Sequence, residues 1–513
     1  MKNLRPGQRL RAVCLLVGVT LGLAACTADD GGIGPDTPAS LAITPGDLRL
    51  EAYDTARLVA TAYDAGGRAA PTGNLRWSST DTGVAAVDST GMLTARGAGS
   101  AEVVVTAGRV RAAGRVTVVP LRFTLVAVGD HHACGLTAGG RVYCWGSNIG
   151  GALGAGSAPE TCGQPYLPCS TVPVPVAAAS AFDWIGAGTE YGCGRAKSGQ
   201  VYCWGEGSRG ALAGGSTEPS ATPRLAAATP FRAVASGGLH SCAIEAGGST
   251  ACWGASFAGE LGAASTAERC LGLSADGKAH PCSTRPVRLD DDPGFVALAV
   301  GGHSCGLSAS GEARCWGSNA AGQLGGPVEP GTCGDGEPPC SARPVPVAGG
   351  LVFRSLGVGD RHTCGLTAGG TAYCWGSNLR GQLGAEATET CPLGQLTEPC
   401  ARTPQPVSGG LAFARIFAGP AATCALTDAG RAYCWGANSD GQLGDGTTDD
   451  RVAPSPVAGN LLFAHLSIGA HTTCGVTLAG DAYCWGRGRW GELGDGSRED
   501  RLTPVPVSKP GRS

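Results

Sequence analysis

The sequence predicts an all-β protein, a seven-bladed β-propeller preceded by a small N-terminal β-sandwich. Three observations carry this. A unit with two cysteines ten positions apart, the second followed by Trp-Gly, occurs seven times, at Cys134/Cys144, Cys193/Cys203, Cys242/Cys252, Cys305/Cys315, Cys364/Cys374, Cys424/Cys434 and Cys474/Cys484. The units recur every 50–60 residues or so, with several strand signals in each, which is the spacing of a propeller blade. Ahead of them lies a cysteine-free stretch that alternates apolar and polar residues in strand fashion. With 86 glycines, two methionines and 5% aromatic residues, the composition suits many short strands joined by turns better than helices.

Taken in order, residues 1–25 read as a secretory signal. "MKNLRPGQRLR" supplies Lys2, Arg5, Arg9 and Arg11 with no acid, and the apolar run Ala12 to Ala25 follows, short for a membrane span. The run ends in Leu23-Ala24-Ala25-Cys26, which resembles the bacterial lipobox. That resemblance implies lipidation of Cys26 and a membrane-anchored lipoprotein at the outer membrane or cell surface. Four positive charges would leave with the signal, taking the formal balance from −3 to about −7. A mildly acidic chain without a basic run lacks the footprint of a nucleic-acid binder. Residues 26–38, "CTADDGGIGPDTP", form a polar tether.

Residues 39–120 contain "RLVATAYD" and "AEVVVTAG", separated by turn clusters such as "DAGG" and "DSTG", and so predict the sandwich. Pro45, Trp77-Ser78-Ser79, Val84-Ala85, Val87-Asp88, Gly91-Met92-Leu93-Thr94-Ala95, Gly97 and Gly99 resemble the group-two bacterial immunoglobulin-like domain. That resemblance implies that Trp77 is core.

The propeller occupies residues 121–513. After each Trp-Gly comes a Gly-x-Leu-Gly element, as at Gly381 to Gly384, then a Pro-Val-Pro-Val-like strand and a Phe-x-x-hydrophobic run. "HTCGLT…YCWGSN…GQLG" resembles the regulator of chromosome condensation repeat family, and the resemblance implies seven blades. Repeat two departs with Tyr191 at the usual histidine and "GALAG" at the Leu-Gly ending, and repeat six has Ala422 at the histidine position. Pro504 to Val507 at one end and Phe123 at the other predict a blade completed by strands from both ends, which would leave no free edge.

A hairpin centred on Gly139 places Cys134 opposite Cys144, and the same arithmetic holds in all seven units. Export favours disulfides. With Cys14 in the signal and Cys26 lipidated, the remaining cysteines form four further local couples, Cys162/Cys169, Cys270/Cys282, Cys333/Cys340 and Cys391/Cys400. These ride on insertions of about ten residues after the Gly-x-Leu element of repeats one, three, four and five. Because that connection recurs in every blade, the loops should project from one face. Zinc is the competing reading, but thiols two to four residues apart are missing, and His132, His240, His303 and His362 fall on different blades. No metal or cofactor is expected.

No nucleophile elbow or other catalytic motif is present, and His465 and His471 read as ordinary propeller residues. Asp445-Gly446 and Asp495-Gly496 suit turns better than calcium. Between Trp-Gly and Gly-x-Leu the framework is constant but one position reads Gly150, Arg209, Ala258, Ala321, Arg380, Asp440 and Trp490. The one before it reads Ile149, Ser208, Phe257, Ala320, Leu379, Ser439 and Arg489. Arg209, Phe257, Leu379, Arg380, Asp440, Arg489 and Trp490 therefore make a candidate binding rim, with Trp490 and Phe257 expected exposed. The leading reading is a monomeric, non-enzymatic surface lipoprotein whose propeller binds proteins or mediates adhesion. An envelope or extracellular polymer-active enzyme, hydrolase or lyase, is the alternative; it would need clustered acids or a His/acid pair at the ring mouth. Guanine-nucleotide exchange, the activity of the family's namesake, is a third and weaker one.

Overall fold

The computed structural model describes residues 38–163, 167–263, 268–271, 279–329, 333 and 339–510. The segment expected to be a signal, Cys26 and nearly all of the expected tether lie outside them. Among the described residues no helix is long and apolar enough to cross a membrane. The chain divides into two compact units at Leu121/Arg122.

In the first unit, short strands form three sheets, the largest pairing Gly99–Ala107 with Val110–Val119 across the turn at Gly108. Their inward residues Ala101, Val103, Val116 and Val118 bury a core with Leu58, Ala85, Leu93 and Ala95. Trp77 packs against this core, half-buried. Gly91 is required beside it, since a Cβ there would sit 3.2 Å from the indole and 2.6 Å from the Leu58 carbonyl.

The second unit is the propeller. Its seven sheets are antiparallel and each is contiguous in sequence. The first runs Phe123–Val128, His132–Thr137, Val142–Ser147 and Leu167–Pro175, with Glu160–Cys162 as an added edge strand. The other six lie within residues 182–227, 231–288, 297–346, 353–406, 415–456 and 463–506. The first strand of each sheet lines a central channel of about 410 Å³.

The expectation of a blade shared between the two ends is corrected here. The seventh sheet takes all four strands from residues 463–506, and the first begins with its own inner strand at Phe123. The ring closes instead by repeating one seam seven times. Each blade's Trp-Gly tryptophan is fully buried and donates its indole N–H to the x carbonyl of the Gly-x-Leu element of the preceding blade. Trp204 reaches Ala152 (3.0 Å), Trp375 reaches Gln323 (2.9 Å) and Trp485 reaches Gln442 (2.9 Å). At the closing seam Trp145 reaches Glu492 (2.8 Å). The glycine ending the element leaves room for the indole: at Gly444 (φ 72°) a Cβ would lie 2.6 Å from Trp485 Nε1. Because an end-to-end seam matches the internal ones, no exchanged strand is needed.

Histidines two before the first cysteine reinforce these seams. The Nε2 atoms of His240, His303 and His362 bond Ser304 (2.7 Å), Thr363 (2.6 Å) and Thr423 (2.9 Å) of the next blade. Those hydroxyls pass the bond to the Glu260, Gln323 and Gln382 carbonyls. The hydroxyls are donors to the carbonyls, so each imidazole donates its Nε2–H to a hydroxyl. Burial keeps the rings neutral, pushing the three pKa values down to about 4, 3 and 4. Tyr191 substitutes in blade two through its hydroxyl, which bonds the His240 and Gly237 carbonyls and Ser241.

Every paired cysteine position is bridged. In the hairpins the partners stand opposite one another, as Cys134↔Cys144 and Cys364↔Cys374, with Cα atoms 4.0–4.1 Å apart. This is the close approach of a non-hydrogen-bonded antiparallel pair. The bonds Cys193–Cys203, Cys242–Cys252, Cys305–Cys315, Cys424–Cys434 and Cys474–Cys484 repeat it. Cys162–Cys169, Cys270–Cys282, Cys333–Cys340 and Cys391–Cys400 brace the inserted connections.

Candidate functional site

Four antiparallel strands per blade send the first-to-second and third-to-fourth connections to the same face. That face therefore holds the channel mouth, the rim positions and the four cystines of the inserted connections.

The rim residues are less exposed than their variability suggests. Leu379 (52%), Arg380 and Arg489 are exposed, but Arg209, Phe257, Asp440 and Trp490 are half-buried. Trp490 lies against the first blade's insertion, where a Cβ on Gly163 would come within 2.7 Å of its ring, and it meets the His131 ring edge-on at 6.2 Å. Phe257 packs on His280 at 4.9 Å, with the Arg209 guanidinium 5.8 Å from its ring centre. The expected exposure of the two aromatics fails because inserted loops and neighbouring side chains cover their flanks. The structure brings Arg209 and Phe257 together, whereas Arg380 and Arg489 turn to Asp450 and Asp500 (3.2 and 3.8 Å).

A polar cluster spans blades six, seven, one and two. His131 Nδ1 bonds Glu190 Oε1 and His471 Nδ1 bonds Asp440 Oδ2, each at 2.8 Å, and the two imidazoles lie 6.2 Å apart. The Glu190 bond outweighs burial and holds the His131 pKa above its ordinary value. Behind them, Arg487 pairs at 3.5 Å with Glu492, whose burial pushes its carboxyl up to about 7. Glu492 accepts the Trp490 backbone N–H at 2.6 Å and so fixes that rim residue. At the channel mouth, burial raises Asp130 to about 6, with the Asp360 charge adding to it, and burial also raises Asp360. Arg361 extends from the mouth to the buried Glu398 inside the fifth blade's disulfide loop.

The sequence alone reads His471 as an ordinary propeller residue and does not single out His131 or Glu190 as site residues. A signal was there: three residues before the first cysteine, the chain reads His131, Glu190, Leu239, Gly302, Arg361, Ala421 and His471, as variable as the rim itself. His465 instead lines the channel wall against Phe417 (5.2 Å). Asp445 and Asp495 act as turn residues: their Oδ1 atoms accept the Thr447 and Ser497 N–H groups (3.0 and 2.8 Å), and their Oδ2 atoms take Arg451 and Arg501. Among the described residues, the one group of three or more metal-ligating side chains is Glu160, Cys162 and Cys169. Its two sulfurs are bonded to each other and offer no thiolate.

A second feature borders the cluster. A cleft of about 190 Å³ opens between blades two and three, with Glu190, Tyr191, Glu206, Arg209, Ala211 and Leu239 among its lining residues.

Comparison with known proteins gives three family matches: residues 220–513 to the RCC1-like domain, residues 123–151 to the regulator of chromosome condensation (RCC1) repeat, and residues 39–118 to the bacterial Ig-like domain (group 2). The probable E3 ubiquitin-protein ligase HERC6 of Homo sapiens is 31% identical over 283 residues, 53% of this chain and 25% of that protein. The ultraviolet-B receptor UVR8 of Arabidopsis thaliana is 26% identical over 347 residues, 66% of this chain and 59% of that protein. The chain thus spans a quarter of the first relative and 59% of the second. Human WBSCR16 superposes with a TM-score of 0.58 at 20% identity, covering 72% of this chain and 94% of that one. Prp20p of Saccharomyces cerevisiae, described with its binding to Gsp1p and histones, gives 0.56 at 19% identity, covering 76% and 88%. At these identities the two structures speak to the fold alone.

Proposed function

Because this chain belongs to the RCC1-like domain family, we propose that its propeller is a non-enzymatic protein-binding module, held at the cell surface by a lipid on Cys26. The observation that carries the reading is the division of labour between blades. Seam tryptophans, glycines and hairpin cystines recur, while one face varies and gathers charged and aromatic side chains already oriented by polar contacts, as in His131–Glu190, His471–Asp440 and Arg487–Glu492. Such a surface costs little entropy to engage, and four cystines stiffen its loops. That Prp20p binds proteins agrees with this use of the scaffold. Export and lipidation rest on residues 1–26.

The test is a pull-down from envelope and extracellular fractions with the exported protein and a variant carrying Arg209→Ala, His131→Ala, His471→Ala and Arg489→Ala. A partner retained by the first and lost by the second is expected; equal capture by both would end the reading. Metabolic labelling with an alkyne fatty acid, blocked by Cys26→Ser, checks the anchor.

One observation favours the second reading, a polymer-active hydrolase or lyase. Two imidazole–carboxylate pairs stand near the ring mouth, the arrangement general acid–base chemistry needs. Turnover of envelope polymers that disappears in both His131→Ala and His471→Ala would favour it over binding alone.

A further inference from the structure

His131 and His471 stand side by side on the first-to-second-strand connections of blades one and seven. Their ring centres are 6.2 Å apart and their planes inclined by 32°. Each spends Nδ1 on a carboxylate at 2.8 Å, His131 on Glu190 and His471 on Asp440. The carboxylates belong to blades two and six, so round the ring the order is Asp440, His471, His131, Glu190. Both Nδ1 atoms are thus tied to the outer flanks of the row. The two nitrogens of an imidazole lie on opposite sides of the ring, which turns both Nε2 atoms toward the gap between the histidines. Among the described residues no group bonds either Nε2, and neither atom is sealed from water. The two side chains are 30% and 35% exposed.

A carboxylate that takes the Nδ1 proton of an imidazole fixes the tautomer, leaves the lone pair on Nε2 and makes that nitrogen more basic. Metal-ligating histidines are held in this way. With metal–nitrogen bonds of about 2.0–2.1 Å, a tetrahedral ion holds its two imidazole ring centres roughly 5–6 Å apart. The observed 6.2 Å closes to that with a small side-chain movement. Other occupants fit less well. An anion would meet the Glu190 and Asp440 charges behind both rings, whereas a cation gains from them. Calcium and magnesium take oxygen ligands, but imidazole nitrogen suits zinc, nickel and copper. We infer that His131 and His471 form a two-histidine site for a divalent transition-metal ion such as zinc, on the face where blade seven meets blade one. Glu190 and Asp440 are its positioning residues, and the ion's other coordination positions are left to water or to a donor from outside the chain. The site goes beyond the protein-binding reading and stands without it.

The experiment titrates the full exported protein, untagged and stripped with EDTA, with Zn²⁺ alone. It is run at about pH 8, where protons compete little for imidazole, and bound metal is read by competition with a chromophoric chelator. His131→Ala, His471→Ala, Asp440→Asn and His280→Ala variants run in parallel. Saturable uptake of one equivalent is expected, with affinity falling at least about 10-fold in each of the first two variants. Asp440→Asn should weaken uptake by about 10-fold at an unchanged Tm, and His280→Ala, in blade three, should leave it as in wild type. Electron paramagnetic resonance of the Cu²⁺-loaded wild type needs no substitution and should show two coordinated nitrogens. Uptake that survives His131→Ala and His471→Ala together, an equal loss in His280→Ala, or no uptake below about 1 mM Zn²⁺ overturns the proposal. So does a copper spectrum without two nitrogen ligands. Wild-type affinity in Asp440→Asn overturns the positioning role.

Discussion

Glutamine 323, 382 and 442 each use the side-chain oxygen to accept a backbone N–H two residues earlier, at 2.8, 2.8 and 2.9 Å. In blade three the residue is Glu260, whose Oε2 takes the Ala258 N–H at 2.7 Å while the side chain is sealed from water (6% exposed). Burial pushes its carboxyl up to about 7 from an ordinary 4.5. The folded protein therefore keeps a proton that the unfolded chain releases between those values, and stability falls as pH rises through that window. At 1.36 kcal/mol per pH unit, the ionised form at about pH 8 costs the fold about 3 kcal/mol. Glu260→Gln keeps the accepted bond and cannot ionise. It should be nearly neutral at about pH 5 and more stable than wild type by about 3 kcal/mol at about pH 8. For a propeller of this length that is roughly 4 °C in Tm. Thermal unfolding of both proteins with disulfides intact, at about pH 5, 6, 7 and 8, reads this out as a difference. The difference matters because the buried His240, His303 and His362 impose an opposite trend: with lowered folded pKa values, their contribution is present above about 6.5 and lost as pH falls. That trend is common to both proteins and cancels. A gap between variant and wild type that stays constant from about pH 5 to 8 would refute the reasoning.

Three other outcomes are expected. Trp375→Phe deletes the indole donor to the Gln323 carbonyl and should lower unfolding stability by about 2 kcal/mol, read as a reduced denaturant midpoint; an unchanged midpoint would contradict the seam. Removing one hairpin staple by Cys364→Ser with Cys374→Ser should cost about 2–3 kcal/mol, and intact mass after alkylation without reduction should show no free thiol among the 22 propeller cysteines of the wild type. Glu190→Gln should lower the His131 pKa, followed by NMR of the imidazole. The wild-type pair stabilises fully below the ordinary histidine value of about 6.5 and loses that contribution as pH rises through the raised folded one; an unmoved titration would mean that another group holds the proton.

Much of the scaffold was legible because its rules are local. A ten-residue spacing around an Ala-Gly-Gly turn makes Cys364 face Cys374 whatever surrounds it, since antiparallel pairing advances one residue on each strand per step. The inserted couples behave likewise, being at most 12 residues apart, and their shared face follows from the parity of four strands. The charged face was not legible. His131 and His471 lie 340 positions apart and meet only because the ring closes blade seven onto blade one. Trp490 read as exposed because no local pattern shows that Gly163 and His131 of another blade will flank it. Ring closure is not legible for the same reason: the Trp145–Glu492 seam is an angular consequence of seven equal steps. The sequence by itself thus determined the repeat, the hairpin staples and the identity of the variable positions, all governed by short-range periodicity. Only the tertiary structure decided which of those positions become neighbours, which carboxylates lose their water, and where Glu190 keeps an oxygen without a donor.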